Sequence, residues 1–450
     1  MTGKTGTMSP QDAVSWWIAA IPVGIGATVS MWSAGYICRL PFIEAPPWLL
    51  FFLLVMILIL AGRVAASRSS DRFRCALMSG AIAGVIDLLV LGAVLVPEEA
   101  TVSGVVVSAS TFVLGCMALA ALGAATTSGG SSTAERGVES ITRTAFWATL
   151  MLVGIGGLVT SEEAGMAVPD WPGSFGNNMF LLPLSRMTGA IYYEHAHRLF
   201  GSLVGLVTLS MAIYTWRFAR RRSLSWLGLL ASVQVVVQGI LGGYRVTGAK
   251  SVEVVAGQVT ESVESGLSLL LRVVHGIHGQ IFLAVLAVMA TIAASSWRIE
   301  APRVGHRSWA RASQWLLVLL CCQLLLGALS RHISRSWVVP HLIGGFLALM
   351  AVIVVAAMIG HDSNSRTRSR LAVALIVATM TQLSLGFMTL AATGSEVRSA
   401  SSGVSETLLA TLHQSFGAVI LSLSAALLCW CRRVPSVDPD RALNGARAGE

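Results

Sequence analysis

The chain has 450 residues, of which 54% are hydrophobic and only 12% are charged, and its mean hydropathy is +0.73. These values lie far from those of soluble globular domains, so the composition excludes a water-soluble enzyme. The net charge of +9 would suit nucleic acid, but the Lys and Arg residues concentrate in alternate loops, as the positive-inside rule describes. We therefore exclude nucleic acid as a partner and expect membrane lipid instead.

Twelve apolar runs are long enough to cross a bilayer, which takes about 20 residues. In chain order they are 13–38, 48–65, 76–96, 104–125, 144–160, 191–216, 224–246, 270–294, 309–330, 337–359, 371–392 and 408–430. The sequence predicts an all-α polytopic membrane protein with about 12 transmembrane helices. The charge bias places both termini in the cytoplasm. No cleavage site follows the first run, so we expect this run to be retained.

The first four runs are predicted to form a separate unit. Residues 126–133 are a Gly/Ser/Thr segment typical of a flexible linker, and a charged stretch follows. Before it there is no histidine, and Asp87 is the only carboxylate deep inside a run. We interpret residues 1–130 as a four-helix membrane extension of unknown role that is dispensable for chemistry.

A five-residue pattern, His-x-x-x-Gly, organises the remainder of the chain. It begins at the outer end of four apolar runs, about seventy residues apart, at His197, His275, His341 and His413. Histidine inside a membrane is a functional candidate, and glycine one turn further leaves bare backbone on the same helix face. The pattern predicts two sites with a pair of histidines each, where iron in a flat macrocycle could bind.

The run before each of these helices ends in a related pattern, and three of the four copies read Gln-x-x-x-Gly. These copies begin at Gln238, Gln323 and Gln382. Glutamine can bond across helices, so packing between helices and contact with a cofactor are both open explanations. The unit is a helical hairpin used four times. It predicts a first half at 144–296, a second half at 309–431 and a cytoplasmic tail at 432–450.

Glu194 and two further histidines extend the pattern. Glu194 lies three residues before His197 on the same helix face, where a half-buried carboxylate could exchange protons during an oxidation. The alternative is a glutamate that reaches water from a helix end. His195 points away from His197. His278 lies one turn beyond His275 and lacks the glycine, so the repeat selects His275, and the choice between the two remains open.

Several basic residues lie near the outer helix ends, close to the predicted ligands: Arg198, Arg272, Arg331 and His332. Arginine suits bidentate carboxylate pairing, so these residues are candidates to contact haem propionates, and interfacial snorkelling is the alternative. The connection between the first two runs of the first half contains Pro169-Asp170-Trp171-Pro172. We interpret this stiff turn as part of a lid over the outer site.

Three segments together resemble haem A synthase. They are Gly-Gly-Leu-Val-Thr-Ser at 156–161, Val-Pro-Asp-Trp-Pro at 168–172 and Glu-His-Ala-His-Arg at 194–198, and three later helix histidines follow. The resemblance covers about residues 144–431. It implies a membrane-bound, haem-containing oxidoreductase that converts a methyl group of haem O to a formyl group, giving haem A for cytochrome oxidase. In that family's arrangement His197 and His275 would hold the substrate haem beside the catalytic Glu194, and His341 and His413 would hold a haem b cofactor.

The resemblance also implies partners and a location. We expect a quinone as electron acceptor, haem O synthase or cytochrome oxidase assembly factors as partners, and a bacterial cytoplasmic membrane with the haem sites towards its outer face. The chain departs from the family in residues 1–130 and in lacking cysteine at 161–190. One alternative is a di-haem cytochrome b, which needs neither Glu194 nor the lid. A haem transporter is less favoured, because the repeats run in the same direction.

Overall fold

The structure is a computed structural model that describes residues 15–95, 101–247, 250–255, 258–300, 307–360, 365–393 and 403–433. The predicted tail beyond residue 433 lies outside these ranges. So do His306 and His361, which the sequence places in inner loops.

Within these described ranges, twelve long helices correspond to the twelve predicted runs, and each is apolar enough to cross a membrane. The N-terminal four are α1 (Trp16–Cys38), α2 (Pro47–Ala66), α3 (Arg72–Leu95) and α4 (Val102–Ala125). The first half has α5 (Ala134–Ser161), α6 (Gly189–Phe218), α7 (Arg222–Thr247) and α8 (Gly266–Ala293), followed by the short α9 (Ser295–Ile299). The second half has α10 (Arg307–His332), α11 (Val338–Gly360), α12 (Arg366–Thr393) and α13 (Val404–Cys431). The predicted fold class is confirmed.

The helices extend beyond the apolar runs, because polar turns continue them past the membrane segment. Helix α5 begins at Ala134, well before residue 144, and the Thr133 side chain caps it by accepting from the Arg136 N–H at 3.2 Å. A two-stranded antiparallel hairpin, β1 (Lys250–Val255) and β2 (Gln258–Glu264), connects α7 to α8. The sequence analysis did not predict this hairpin.

Each half is a closed ring of four helices. Helices α5, α6, α7 and α8 contact one another in order, and α8 returns to α5; α10 to α13 repeat this arrangement. The histidine helices are diagonal partners in each ring, α6 with α8 and α11 with α13. The two halves meet where α13 packs against α5 and α8. The rings therefore direct each pair of histidines towards a shared interior.

The N-terminal helices are docked on the first half. Residues Ile25, Val29 and Tyr36 of α1 belong to one buried apolar cluster with residues of α5, α6 and α8. The predicted flexible linker is also packed, because the Gly130 N–H donates to the Ser69 carbonyl at 2.9 Å. A side chain at Gly130 would overlap the Ser67 carbonyl. Glycine at this position permits a close approach of the two backbone segments.

Candidate functional site

The four predicted histidines meet in two pairs. His197 on α6 and His275 on α8 have ring centroids 6.3 Å apart, with the planes at 70°. His341 on α11 and His413 on α13 have centroids 6.1 Å apart, at 85°. We call these the first pair and the second pair. Their geometry is nearly the same although they come from different halves of the chain.

This spacing suits two axial ligands of one iron. Two imidazoles on a single metal ion place their ring centres about 6 Å apart, because a metal–nitrogen bond is about 2 Å and each nitrogen lies about 1 Å from its ring centre. Within the described residues, no group of three or more His, Cys, Asp or Glu could hold a metal ion. Two ligands alone suit haem, whose macrocycle supplies the other nitrogens.

A glycine on the preceding helix makes room for each imidazole. A Cβ on Gly156 or Gly242 would lie 3.2 or 3.3 Å from the Cε1 atom of His197 or His275. On Gly327 or Gly386 it would lie 2.9 Å from the Cε1 atom of the second-pair histidine. These are the glycines of the Gln-x-x-x-Gly runs and of the first hairpin's glycine segment. Their function is to let the ring edge pack against helix backbone.

The glutamines pack against the histidine helices. The Gln238 Nε2 atom donates to the His275 carbonyl at 3.0 Å, and the Gln323 Nε2 atom donates to the His341 carbonyl at 2.7 Å. The Gln382 Nε2 atom lies 3.4 Å from His413 Nε2. These contacts favour the interhelical packing role.

The second glycine of the pattern faces these glutamines in three copies. A Cβ on Gly279, Gly345 or Gly417 would come within 3.0 to 3.4 Å of a glutamine Nε2 atom. In these copies the glycine makes room for the glutamine side chain, and its backbone is not left bare as the sequence pattern suggests. Only Gly201, among the four, has nothing within 4 Å.

Glu194 is buried and charge-paired. One carboxylate oxygen lies 2.6 Å from the Arg198 guanidinium, and the other accepts from the Val168 N–H at 2.7 Å. Arg198 also donates to the carbonyls of Val168 and Asp170 at 2.8 and 2.5 Å. The two side chains together hold the Pro-Asp-Trp-Pro loop against α6. The contacts of Arg198 are with protein groups, which favours an anchoring role over contact with a propionate.

His195 and Asp170 complete this anchor. His195 is buried, and its Nδ1 atom lies 3.2 Å from the Ser174 hydroxyl, so it faces the loop and not His197. Burial alone would raise the pKa of Asp170. The Gly176 and Phe175 N–H groups donate hydrogen bonds to its carboxylate and hold its pKa below the usual value.

The loop reaches the helix that supports His275. A Cβ on Gly243 would collide with the Trp171 ring, and Gly243 is next to Gly242, whose backbone packs against His275. Trp171 therefore covers α7 beside the first pair, as the lid interpretation expects.

A group of arginines lies close to the histidine pairs. The charge of Arg245 acts on His197, His275 and His332, and the charges of Arg272 and Arg331 also act on His332. Arg331 donates to the Ser161 hydroxyl at 2.8 Å. The sequence analysis missed Arg245. Its position three residues after Gly242 puts it on the face that contacts His275, which was the available signal.

The structure separates His275 from His278. His275 faces His197, whereas the His278 Nδ1 atom lies 2.6 Å from the Gln238 Oε1 atom. This geometry favours His275 as the ligand.

In a comparison with known proteins, one protein family matches part of this chain. Residues 143–342 match the model of the COX15-CtaA family, described as cytochrome oxidase assembly protein. The matched segment contains Glu194, the loop and three of the four paired histidines. Among curated proteins, none matches this chain.

Proposed function

We propose that this chain, whose residues 143–342 belong to the cytochrome oxidase assembly family, is a haem A synthase. The proposed reaction oxidises a porphyrin methyl group of haem O to a formyl group through an alcohol, with one water molecule as the oxygen source and with four electrons and four protons released. The observation that carries the proposal is the presence of two matched histidine pairs, together with a buried carboxylate on the helix of His197 that anchors the α5–α6 connection; among the described residues of α10 to α13 no carboxylate is buried.

In the first half, His197 and His275 would bind the iron of the substrate haem O. The loop around Trp171 would keep bulk water from the reacting edge. Arg198 compensates the charge of Glu194, so a carboxylate can be kept in this buried position. Oxidation of a methyl group releases protons and builds positive charge at the carbon. Glu194 is the group that we assign to accept a proton or to stabilise that charge.

In the second half, His341 and His413 would hold haem b, which supplies reversible one-electron transfer when bound. The α5–α13 contact joins the two halves near both pairs: a Cβ on Gly157 would lie 3.0 Å from Thr411, and Gly156, the neighbour of Gly157, faces His197. Electrons would leave to an acceptor such as a quinone. Haem O synthase and assembly factors of cytochrome oxidase would be the partners, in a bacterial cytoplasmic membrane with both sites towards the outer face.

The test is to identify the pigments that the purified chain carries and makes. The protein is produced in cells that supply haem O, and the extracted haems are separated by chromatography and mass. Haem A or its alcohol precursor together with haem b is expected. A His197→Ala variant should retain haem b and lose the modified haem. Haem b alone in both proteins would refute the proposal and favour the di-haem cytochrome.

A further inference from the structure

The two histidine pairs differ in the surroundings of one ring nitrogen. In the second pair, His341 Nδ1 lies 3.0 Å from the Gln323 amide nitrogen, and His413 Nδ1 lies 3.2 Å from the Gln382 backbone carbonyl. In the first pair, the buried Nδ1 atom of His197 has no hydrogen-bond partner among the described residues, and that of His275 has only a weak contact with the Gln238 backbone.

In the first hairpin, the difference arises from one residue. Leu152 stands four residues before Gly156, where the other three hairpins have glutamine. The α5 helix therefore brings no amide to His197. The space that the glutamine occupies elsewhere is open here, since Gly201 has nothing within 4 Å.

In the second hairpin, the glutamine is present but engaged elsewhere. The Gln238 Nε2 atom donates to the His275 carbonyl, as that of Gln323 does to the His341 carbonyl. The difference is that the Gln238 Oε1 atom lies 2.6 Å from His278 Nδ1. The other three histidine helices carry Phe200, Gly344 and Phe416 where α8 carries His278. His278 thus holds the amide away from the His275 ring.

These contacts have a known effect on metal ligands. A hydrogen bond to the second nitrogen of a ligating imidazole fixes its orientation and raises its basicity, and loss of such a partner costs about 10–100-fold in metal affinity. When iron binds the other ring nitrogen, Nδ1 carries the proton, so the Gln323 amide would turn its oxygen towards His341 Nδ1 and give up its contact with the His341 carbonyl. The second pair is therefore built to hold its iron more tightly than the first pair.

We propose that hydrogen bonding at Nδ1 decides which pair keeps its haem. Gln323 and the Gln382 carbonyl retain haem at the second pair, whereas Leu152 and the engagement of Gln238 by His278 leave the first pair able to release it. The inference rests on the proposed function in one respect: a haem that is a product must leave, and a haem that is a cofactor must stay.

The test measures haem release with haem b as the probe at both pairs. The His341→Ala background isolates the first pair, and the His197→Ala background isolates the second. Each protein is loaded with haem b and mixed with excess apomyoglobin, and transfer is followed by absorbance. Release from the first pair should be at least about tenfold faster than release from the second pair.

Gln323→Leu should accelerate release from the second pair about tenfold. Gln234→Leu, a change of the same type at an α7 residue with no hydrogen bond to either pair in the described structure, should leave release from both pairs unchanged.

Two substitutions should act in the opposite direction. Leu152→Gln supplies the missing amide opposite the open Gly201. His278→Phe, which copies the α6 and α13 residues, frees the Gln238 amide. Each should slow release from the first pair severalfold and shift the midpoint potential of that haem to a lower value, because a more basic ligand favours ferric iron.

Equal release from the two pairs, or loaded variants that all release at the parental rate, would overturn the inference. The haem b release assay does not depend on haem A formation. A chain that makes haem A but releases both haems equally contradicts only this inference, whereas a chain that never makes haem A contradicts the proposed function.

Discussion

The connections that precede α6 and α11, the first histidine helix of each half, differ sharply. Residues 162–188 join α5 to α6, and Glu194, His195 and Arg198 hold them against the helix. Residues 333–337 join α10 to α11 as little more than one tight turn, which Arg335 ties to the Thr393 carbonyl at 2.8 Å. The hairpin unit and histidine spacing are shared. The first pair thus has a long, anchored connection next to it, and under the proposed function this difference would separate a reacting site from a site that only holds a cofactor.

The largest expected effect comes from removing the predicted ligands of the second pair. His341→Ala or His413→Ala should lower the affinity for haem b by more than about 100-fold, because even an outer partner of a ligand is worth 10–100-fold. Reduced-minus-oxidised spectra of purified protein measure this loss. His197→Ala is the control and should retain haem b. Unchanged haem b in both second-pair variants would sink the assignment.

The next test separates a chemical role of Glu194 at the first pair from its role in anchoring the loop. Glu194→Gln keeps an acceptor for the Val168 N–H but removes the charge, so it should load substrate haem and slow oxidation by about 10²-fold or more. Haem O or its alcohol should accumulate, as measured by chromatography of extracted haems.

Arg198→Gln is the matched control for that experiment. It keeps the carboxylate but loses the guanidinium contacts to the loop carbonyls, so hydrogen exchange in the loop should rise and oxidation should fall less. If the two variants lose equal activity and loosen the loop equally, Glu194 is only an anchor.

A smaller effect is expected from filling the glycine contacts. Gly327→Ala puts a methyl group 2.9 Å from the His341 Cε1 atom, and such overpacking typically costs about 1–3 kcal/mol. Haem b affinity should fall, and its absorption bands should shift. Gly201→Ala adds the same methyl group in open space and should be neutral or stabilising by up to about 1 kcal/mol. Equal haem b spectra and affinity in both variants would show that the ring edge tolerates a side chain.

The smallest predicted effect concerns acid and the lid. Asp170 has a pKa below its usual value, so its contribution to loop stability is fully present above pH of about 4 and is lost as the pH falls through the lowered value. Hydrogen exchange of the Phe175 and Gly176 amides, corrected for intrinsic rates, should accelerate only in that acid range. Asp170→Asn should remove the pH dependence. Acceleration that persists in this variant would assign it to another group.

The twelve helices and the histidine pairs could be predicted, because both depend on local signals. An apolar run of sufficient length specifies a span by itself, and the fourfold His-x-x-x-Gly repeat marks equivalent positions without any knowledge of packing. The repeat also favoured His275 over His278, and His275 is the one that faces His197 in the structure.

Other features depend on contacts between distant segments. Glu194 and His197 share a helix face, but nothing in their spacing reveals that Arg198 and Val168 would pair with the carboxylate. The glutamine of Gln-x-x-x-Gly packs against a glycine on the next helix. The two residues are distant in sequence, and only the antiparallel packing of the hairpin brings them together. The docking of α1 was missed for the same reason, since α1 is uniformly apolar and its sequence does not distinguish a lipid-facing side from a protein-facing one.

That docking has a consequence for how the protein is assembled during synthesis. Helix α1 leaves the ribosome before its partners on α5 and α6, which are made more than one hundred residues later. Tyr36, for example, stacks on Tyr192 with ring centroids 5.5 Å apart. Until then the side of α1 that carries Tyr36 must be shielded by lipid or an insertion factor. Helix α1 would therefore be in the membrane before α5 and α6 are inserted and pack against it.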